Sequence, residues 1–250
     1  MGGALLNGFI AEGVDPKNVT VVDPYANLHE LKKLKVNYVS GKVEDKFNFC
    51  IIAVKPKDFD NTLKKYKHLK KACFISIAAG KTVDKMPGIL GADAAIVRAM
   101  PNLPATINKG LTGLYLNKNV SKVRQDQVFK LFSSVGGVLH VKKEPKIDII
   151  TAISGSGPAY VFHIIEIIAK IGEELGLSPE NALVVSKSTV FGSAGLAMIS
   201  PRTPTELRTD VTSPGGTTEA ALKVLMGDNK LENLFRDAIK AAIKRAKELQ

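Results

Sequence analysis

The sequence has 250 residues, enough for one large domain or two modest ones. Hydrophobic residues make up 45% and charged residues 24%, a globular balance that excludes a disordered chain. Lys and Arg number 35 and Asp and Glu 24, a net charge of +11, but the basic residues are scattered and aromatics are only 6%, so the chain offers no base-stacking platform for nucleic acid. An anionic small ligand accounts for the charge equally well. Apolar runs such as 49–54, and 164–168 around Glu166, fall short of the ~18–20 residues of a membrane span, so no membrane partner is expected. No secretory signal is visible, and the two cysteines exclude a disulfide scaffold. The expected location is the cytoplasm.

In chain order, residues 3–11 read as a short helix ended near Gly13. Residues 19–22 are a β-branched run stopped by Asp23-Pro24. Residues 27–34 are helical, with Leu28, Leu31 and Leu34 at helical spacing. Residues 49–54 form a continuous apolar run closed by Lys55-Pro56, the pattern of a strand buried on both faces. A helix over 58–66, a strand over 74–78 ended by Gly80, a helix over 82–90 and a strand over 94–100 ended by Pro101 follow. Strand 111–116, helix 120–133 and strand 138–141 complete the series. Repeated strand-then-helix units of this length predict a mostly parallel α/β sheet with right-handed crossovers.

After Lys143 no strand is evident. Residues 147–153 read as helix, and 158–175 as a helix apolar almost all round, which predicts burial on most sides and contact with another subunit. The helix over 179–198 has Ser178 as N-cap and Pro179 in its first turn. The last helix carries Leu231, Leu234, Phe235, Ala238, Ile239 and Ala242 at threes and fours. The expected domains are 1–143, α/β and nucleotide-binding, and 144–250, all-helical.

Three stretches can carry chemistry. Residues 211–222 (Val-Thr-Ser-Pro-Gly-Gly-Thr-Thr-Glu-Ala-Ala-Leu) run a turn straight into a helix. Free N–H groups at such a helix start, with Ser213, Thr217 and Thr218 hydroxyls beside them, suit an anion, although a well-capped turn would look similar. Residues 153–160 hold Ser154-Gly155-Ser156-Gly157-Pro158, which lacks the Lys of a phosphate loop and the first glycine of a nucleophile elbow. It reads as a tight entry to a buried helix. Third, the carboxyl ends of the parallel strands are where an open α/β sheet binds ligands. Asp23 sits where an acidic residue can bond a ribose 2′-OH, and no Arg precedes Arg98 to take a 2′-phosphate, though Asn27, Lys32 or Lys33 can substitute. The four His are widely scattered, so no metal site is expected, and Cys50 and Cys73 read as packing residues.

Taken together, these residues resemble the pyrroline-5-carboxylate reductase family over nearly the whole chain. Residues 210–222 look like its signature, supported by 53–56 (Ala-Val-Lys-Pro), 76–80 (Ser-Ile-Ala-Ala-Gly), 98–102 (Arg-Ala-Met-Pro-Asn) and 154–160. The resemblance implies a Rossmann-like dinucleotide-binding domain followed by an all-α dimerisation domain. It implies hydride transfer from NADPH, with NADH as the alternative, to Δ1-pyrroline-5-carboxylate, giving L-proline. By the same carry-over Ser213, Gly216 and Thr217 hold the substrate carboxylate, and Thr218, the catalytic position, bonds the ring nitrogen. Gly2, Asp23, Asn27, Val54, Lys55, Pro56, Ala78, Ala79 and Asn102 belong to the cofactor side. The expected assembly is a homodimer, with a decamer as the larger form.

Members of that family begin with a strand and a G-x-G-x-x-G turn, whereas this sequence starts at Met-Gly-Gly, with Gly2 matching the third glycine. A strand and two glycines, on the order of ten residues, are absent, and neighbouring strands are expected to show unpaired edges. A start placed too far downstream or a clipped chain accounts for this. The missing strand keeps a non-catalytic NAD(P)-binding or oligomerisation module open as the alternative. A β-hydroxyacid dehydrogenase fits less well, because Val161 stands where those enzymes resemble one another in carrying Lys.

Overall fold

The computed structural model describes residues 1–250. The helix α1 (Gly2–Ala11) has no side-chain cap at its N-terminus. It is followed by β1 (Thr20–Val21), α2 (Leu28–Leu34) and β2 (Asn37–Tyr38). Then come β3 (Phe49–Ile52), α3 (Phe59–Tyr66), β4 (Cys73–Ser76), α4 (Pro87–Leu90) and β5 (Ile96–Met100). The series closes with β6 (Gly110–Leu116), α5 (Lys122–Ser133) and β7 (Gly136–His140).

Strands β3 to β7 lie side by side in chain order, all parallel except the antiparallel β5–β6 pair. Strands β1 and β2 pair in parallel as a separate sheet. Strands β1 and β3 each therefore keep one edge outside any ladder. The period of two in β4 builds two cores. Cys73 and Ile75 join Leu5, Phe9, Val97, Leu114 and Phe132, under α1 and α5. Phe74 joins Ile52, Phe59, Leu63, Met86 and Leu90, under α3 and α4. Helices thus cover both faces of a mostly parallel sheet, the Rossmann-like layering. Gly8 admits α1 to this core, since a Cβ there would lie 2.3 Å from Val135 Cγ1. Phe9 meets Phe132 edge to face at 5.8 Å.

Two elements differ from expectation for local reasons. The pair β1 and β2 is two residues long on each side, too short for β2 to leave a period in the sequence. The helix expected over 82–90 is a 3-10 turn, Val83–Lys85, followed by α4, which Pro87 opens at its first position, where a missing N–H breaks no helical bond.

The last strand ends at His140, so the change of character near 143–145 is where strands stop. The packing boundary falls later. Helix α6 (Lys146–Ile150) and the π turn Thr151–Gly155 stay with the sheet, where Ile147 and Ile150 close on Gly113 of β6. The first compact unit is Met1–Ser156 together with Ala242–Gln250, and the second is Gly157–Ala241. The 144–250 expectation therefore shifts at both ends, because α6 is tied to the sheet by side chains and the chain end returns to it.

The second unit holds α7 (Gly157–Glu174), α8 (Pro179–Ile199), α9 (Pro204–Asp210), α10 (Thr217–Met226) and most of α11 (Lys230–Glu248). Helices α7 and α8 pack together, with Gly172 letting Ala182 approach, where an added Cβ would sit 3.3 Å from its Cβ. On α7 only Ala169 is buried, whereas Val161, Phe162, Ile167, Ile168 and Ile171 are exposed. The expected burial of this helix on most sides is not met within one chain. On α8, Phe191, Met198 and Ile199 are 77–85% exposed. The helical stretches Lys146–Glu174 and Pro179–Ile199 are long and apolar enough to cross a membrane by length and composition. Uninterrupted apolar runs did not reveal this, because polar residues punctuate both stretches.

Phe132 is fully buried where α5 meets α1 and the sheet. Phe132→Ala is expected to cost about 3–5 kcal/mol in a urea unfolding titration, since the cavity cannot close around a lost ring.

Candidate active site

In the first unit, three successive parallel strands deliver their carboxyl ends to the residues of interest. Strand β3 leads through Ala53 to half-buried Val54, exposed Lys55 and Pro56, which opens the 3-10 turn Pro56–Asp58. The start of α1 lies against this end, where a Cβ on Gly2 would fall 2.9 Å from Ala53 Cβ. Its first N–H groups have no side-chain cap, so a glycine close approach and free donors coincide there. Strand β4 leads to Ala78, whose N–H donates to Ser76 Oγ at 3.3 Å, then to Ala79 and Gly80. Gly80 has φ +73, and Leu249 of the returning chain end packs where its Cβ would be. Strand β5 leads to Asn102, which donates to Ser154 Oγ at 3.1 Å and accepts the Leu111 N–H at 2.9 Å. Val54, Lys55, Pro56, Ala78, Ala79 and Asn102 thus share the carboxyl edge of one sheet, with Gly2 beside them. Asp23 and Asn27 lie at the end of β1, in the other sheet, and both side chains are occupied locally. Asp23 accepts the Tyr25 N–H at 2.8 Å, and Asn27 caps α2.

In the second unit, α9 sets the turn that follows it. Thr203 and Glu206 form a reciprocal cap, and the Thr203 N–H and hydroxyl hold the Glu206 carboxyl below its ordinary range. Arg202 grips Asp210 with both terminal nitrogens, fixing the two ends of α9 to each other. The chain then turns through Ser213 and Pro214 to Gly215, at φ +71. The Gly216 N–H donates to the Ser213 carbonyl at 3.0 Å, and the Gly215 N–H to Glu219 at 2.9 Å. Gly216 is the N-cap of α10 and offers no side-chain cap, so the first N–H groups of this ten-residue helix are left for another partner. Exposed Ser213 and Thr217 and half-buried Thr218 surround that end. All four expected substrate residues, Ser213, Gly216, Thr217 and Thr218, therefore meet in one turn.

Sequence reasoning missed a polar cluster under the strand ends. Arg98 is 2% exposed, and its guanidinium bonds Asp148 at 2.7 Å and Glu144 at 3.3 Å. Burial raises the Glu144 carboxyl, opposed by the Val83 N–H and by Arg98. It also missed that Ser154 is held by Asn102, the signal being only that both stand in motifs. Burial pushes the Cys50 thiol up to about 12 and Cys73 to about 11, so neither is a nucleophile near neutral pH.

Small residues at parallel strand ends in one unit, and a hydroxyl-rich helix start in a helical unit, are the parts expected of a nucleotide-dependent oxidoreductase. The family profile described as NADP oxidoreductase, coenzyme F420-dependent, matches residues 1–80, and that for pyrroline-5-carboxylate reductase dimerisation matches residues 144–249. The pyrroline-5-carboxylate reductase of Pseudomonas aeruginosa is 36% identical over 257 aligned residues, covering 100% of this chain and 93% of that protein. A pyrroline-5-carboxylate reductase structure from Coxiella burnetii matches with TM-score 0.92 at 37% identity, over 100% of this chain and 94% of the other. The Plasmodium falciparum pyrroline carboxylate reductase, solved with NADP bound, matches with TM-score 0.89 at 30% identity, over 100% and 94%. The chain belongs to the pyrroline-5-carboxylate reductase family.

The two thiols should resist iodoacetamide at pH 8 in the folded protein and react when urea unfolds it, as read by mass spectrometry. Above about pH 9 the unfolded chain releases thiol protons that the folded chain keeps, so stability should fall as pH rises further.

Proposed function

We propose that the protein reduces Δ1-pyrroline-5-carboxylate to L-proline with NADPH, NADH being the alternative donor. The carrying observation is the uncapped start of α10 with hydroxyls of Ser213, Thr217 and Thr218 around it, in a chain of this family. The strand-end residues fit the cofactor: Gly2 lets the start of α1 close on Ala53 at the end of β3, and Ala78 and Ala79 bring no large side chains to the end of β4. Gly2, Asp23, Asn27, Val54, Lys55, Pro56, Ala78, Ala79 and Asn102 would hold it. When bound it supplies the hydride.

The chain's own residues then have little acid–base work. A protonated imine is already an electrophile, so the protein must position its carbon and exclude water. The α10 N–H groups and the Ser213 and Thr217 hydroxyls direct the positive end of the helix at the carboxylate. The Thr218 hydroxyl accepts from the protonated ring nitrogen and fixes the ring's orientation. No Cys, His or metal is required for this chemistry.

The exposed apolar face of α7 and α8 is read as covered by a second copy of the chain, supported by the dimerisation profile over 144–249. Assembly of dimers into a decamer and a cytoplasmic location belong to the same reading, with no membrane partner. The ladder-free edges of β1 and β3 favour one second reading, a module that binds NAD(P) without turnover. NADPH oxidation with added pyrroline-5-carboxylate, compared with quenching of NADPH fluorescence, separates the two: binding without turnover identifies the module.

Thr218→Ala should lower kcat/KM roughly tenfold or more, for a lost hydrogen bond of about 1.5 kcal/mol. Unchanged kinetics would remove Thr218 from the site. Sedimentation at micromolar concentration should give at least twice the 26.8 kDa chain mass, and a monomer would remove the second copy.

A further inference from the structure

Arg98 stands in one of the motifs that mark the family, yet nothing in the proposed reaction uses it. Its strand neighbours Ile96, Val97 and Ala99 are each no more than 1% exposed, so an aliphatic residue would fit the position. A guanidinium kept in such surroundings needs charged partners that are themselves held. Here they are. Glu144, just ahead of α6, gives Arg98 its Oε1, and the same oxygen accepts the Val83 N–H at 2.8 Å. Asp148, within α6, gives Arg98 its Oδ1, and its Oδ2 accepts from Gln250 Nε2 at 2.8 Å. One buried cation therefore joins four pieces of chain: β5, α6, the turn after β4, and the returning end of α11.

Two of these pieces bear on the cofactor side. Val83 closes the turn 78–82, which starts where Ser76 Oγ takes the Ala78 N–H. Leu249 packs on Gly80 in the middle of that turn, and Gln250 beside it is the residue that reaches Asp148. The turn holding Ala78 and Ala79 is thus fixed at its entry by Ser76, at its exit through Glu144, and over its glycine through the Asp148-bound chain end. On the other side, α6 continues into the turn carrying Ser154, the partner of Asn102. Gly155 in that turn comes so close to β5 that a Cβ would lie 2.6 Å from Met100 Cε.

We propose that Arg98 is a positioning residue. Acting through Glu144 and Asp148, it holds the Ala78–Ala79 turn and the Asn102–Ser154 pair in mutual register, and so sets the depth at which the nicotinamide ring sits. It touches neither substrate nor cofactor. The kinetic part rests on the reductase reading; the clamp itself does not.

The test uses the full chain with Arg98→Lys, which keeps the charge but cannot fork to both carboxylates, and Glu144→Ala, which removes the Val83 acceptor. Glu144→Gln keeps an oxygen for Val83. Hydrogen–deuterium exchange should quicken in residues 78–83 in the first two variants while β4 and β5 stay protected, and Glu144→Gln should restore protection. With NADPH, kcat should fall about tenfold or more in the first two, with less than about a threefold change in its KM. The primary isotope effect with 4-deuterated NADPH should rise, a change that a smaller folded fraction cannot produce. Wild-type kcat, isotope effect and exchange in Glu144→Ala would overturn the proposal, as would uniform loosening of the sheet. Should Arg98→Lys fail to fold, Glu144→Ala decides alone, its carboxylate being at the edge of the cluster with 15% exposure. An inactive parent chain would sink the reductase reading, and the exchange pattern would still decide the clamp.

Discussion

A positive charge sealed inside a sheet must find its counter-charges inside the protein, and that requirement organises the first unit. Arg98 sits on the middle strand of five, among residues that exclude water. Desolvating a guanidinium costs several kcal/mol unless good hydrogen bonds return it. Both carboxylates that do so come from the segment at α6, which explains why α6 packs with the sheet although it follows the last strand. The glutamine at 250 completes the second carboxylate, which explains why the end of α11 belongs with the sheet too. Ion pairing and packing thus agree in placing α6 and residues 242–250 with the sheet.

The same unit keeps the carboxyl edge of its sheet nearly free of ionisable chemistry. The strand ends present Val, Pro, Ala and Gly, with Lys55 as the exposed cation. The second unit does likewise, since its turn offers hydroxyls and main-chain N–H groups rather than a base. Fixed dipoles cost no reorganisation when charge shifts during a reaction. An electrophile that arrives already protonated needs no more than this. The +11 charge fits ligands that are all anions, without a single concentrated patch.

Periodic apolar segments were legible in the sequence. The runs that became β3, β4, β5 and α5 have boundaries within a few residues of expectation, although β3, expected to be buried on both faces, lies at a sheet edge and fully buries only Ile52. The turn before α10 was legible because glycines and hydroxyls have few other uses at such density. What stayed hidden was non-local. β2 is two residues long and exists through pairing with β1. The π turn at 151–155 needs a widened bond, Ser156 N–H to the Thr151 carbonyl at 2.8 Å, which no periodicity announces. The partners of Arg98 were not legible because they lie 46 and 50 residues away. Domain limits shifted for the same reason: contacts made across long stretches of chain decide packing, and a change in local pattern does not.

The uncovered face of α7 and α8 ties folding to abundance. Residues such as Phe191 and Ile199 gain nothing from burial until a second surface meets them. The free energy that holds the helical unit together is then partly a concentration term, growing with the logarithm of the protein present. In a dilute cell extract the melting temperature would drop without any change in sequence, and newly made chains would be most fragile before the first copies accumulate. Small exposed side chains such as Gly192, Ala194 and Gly195 lower the entropic cost of that meeting, because they have little rotamer freedom to lose.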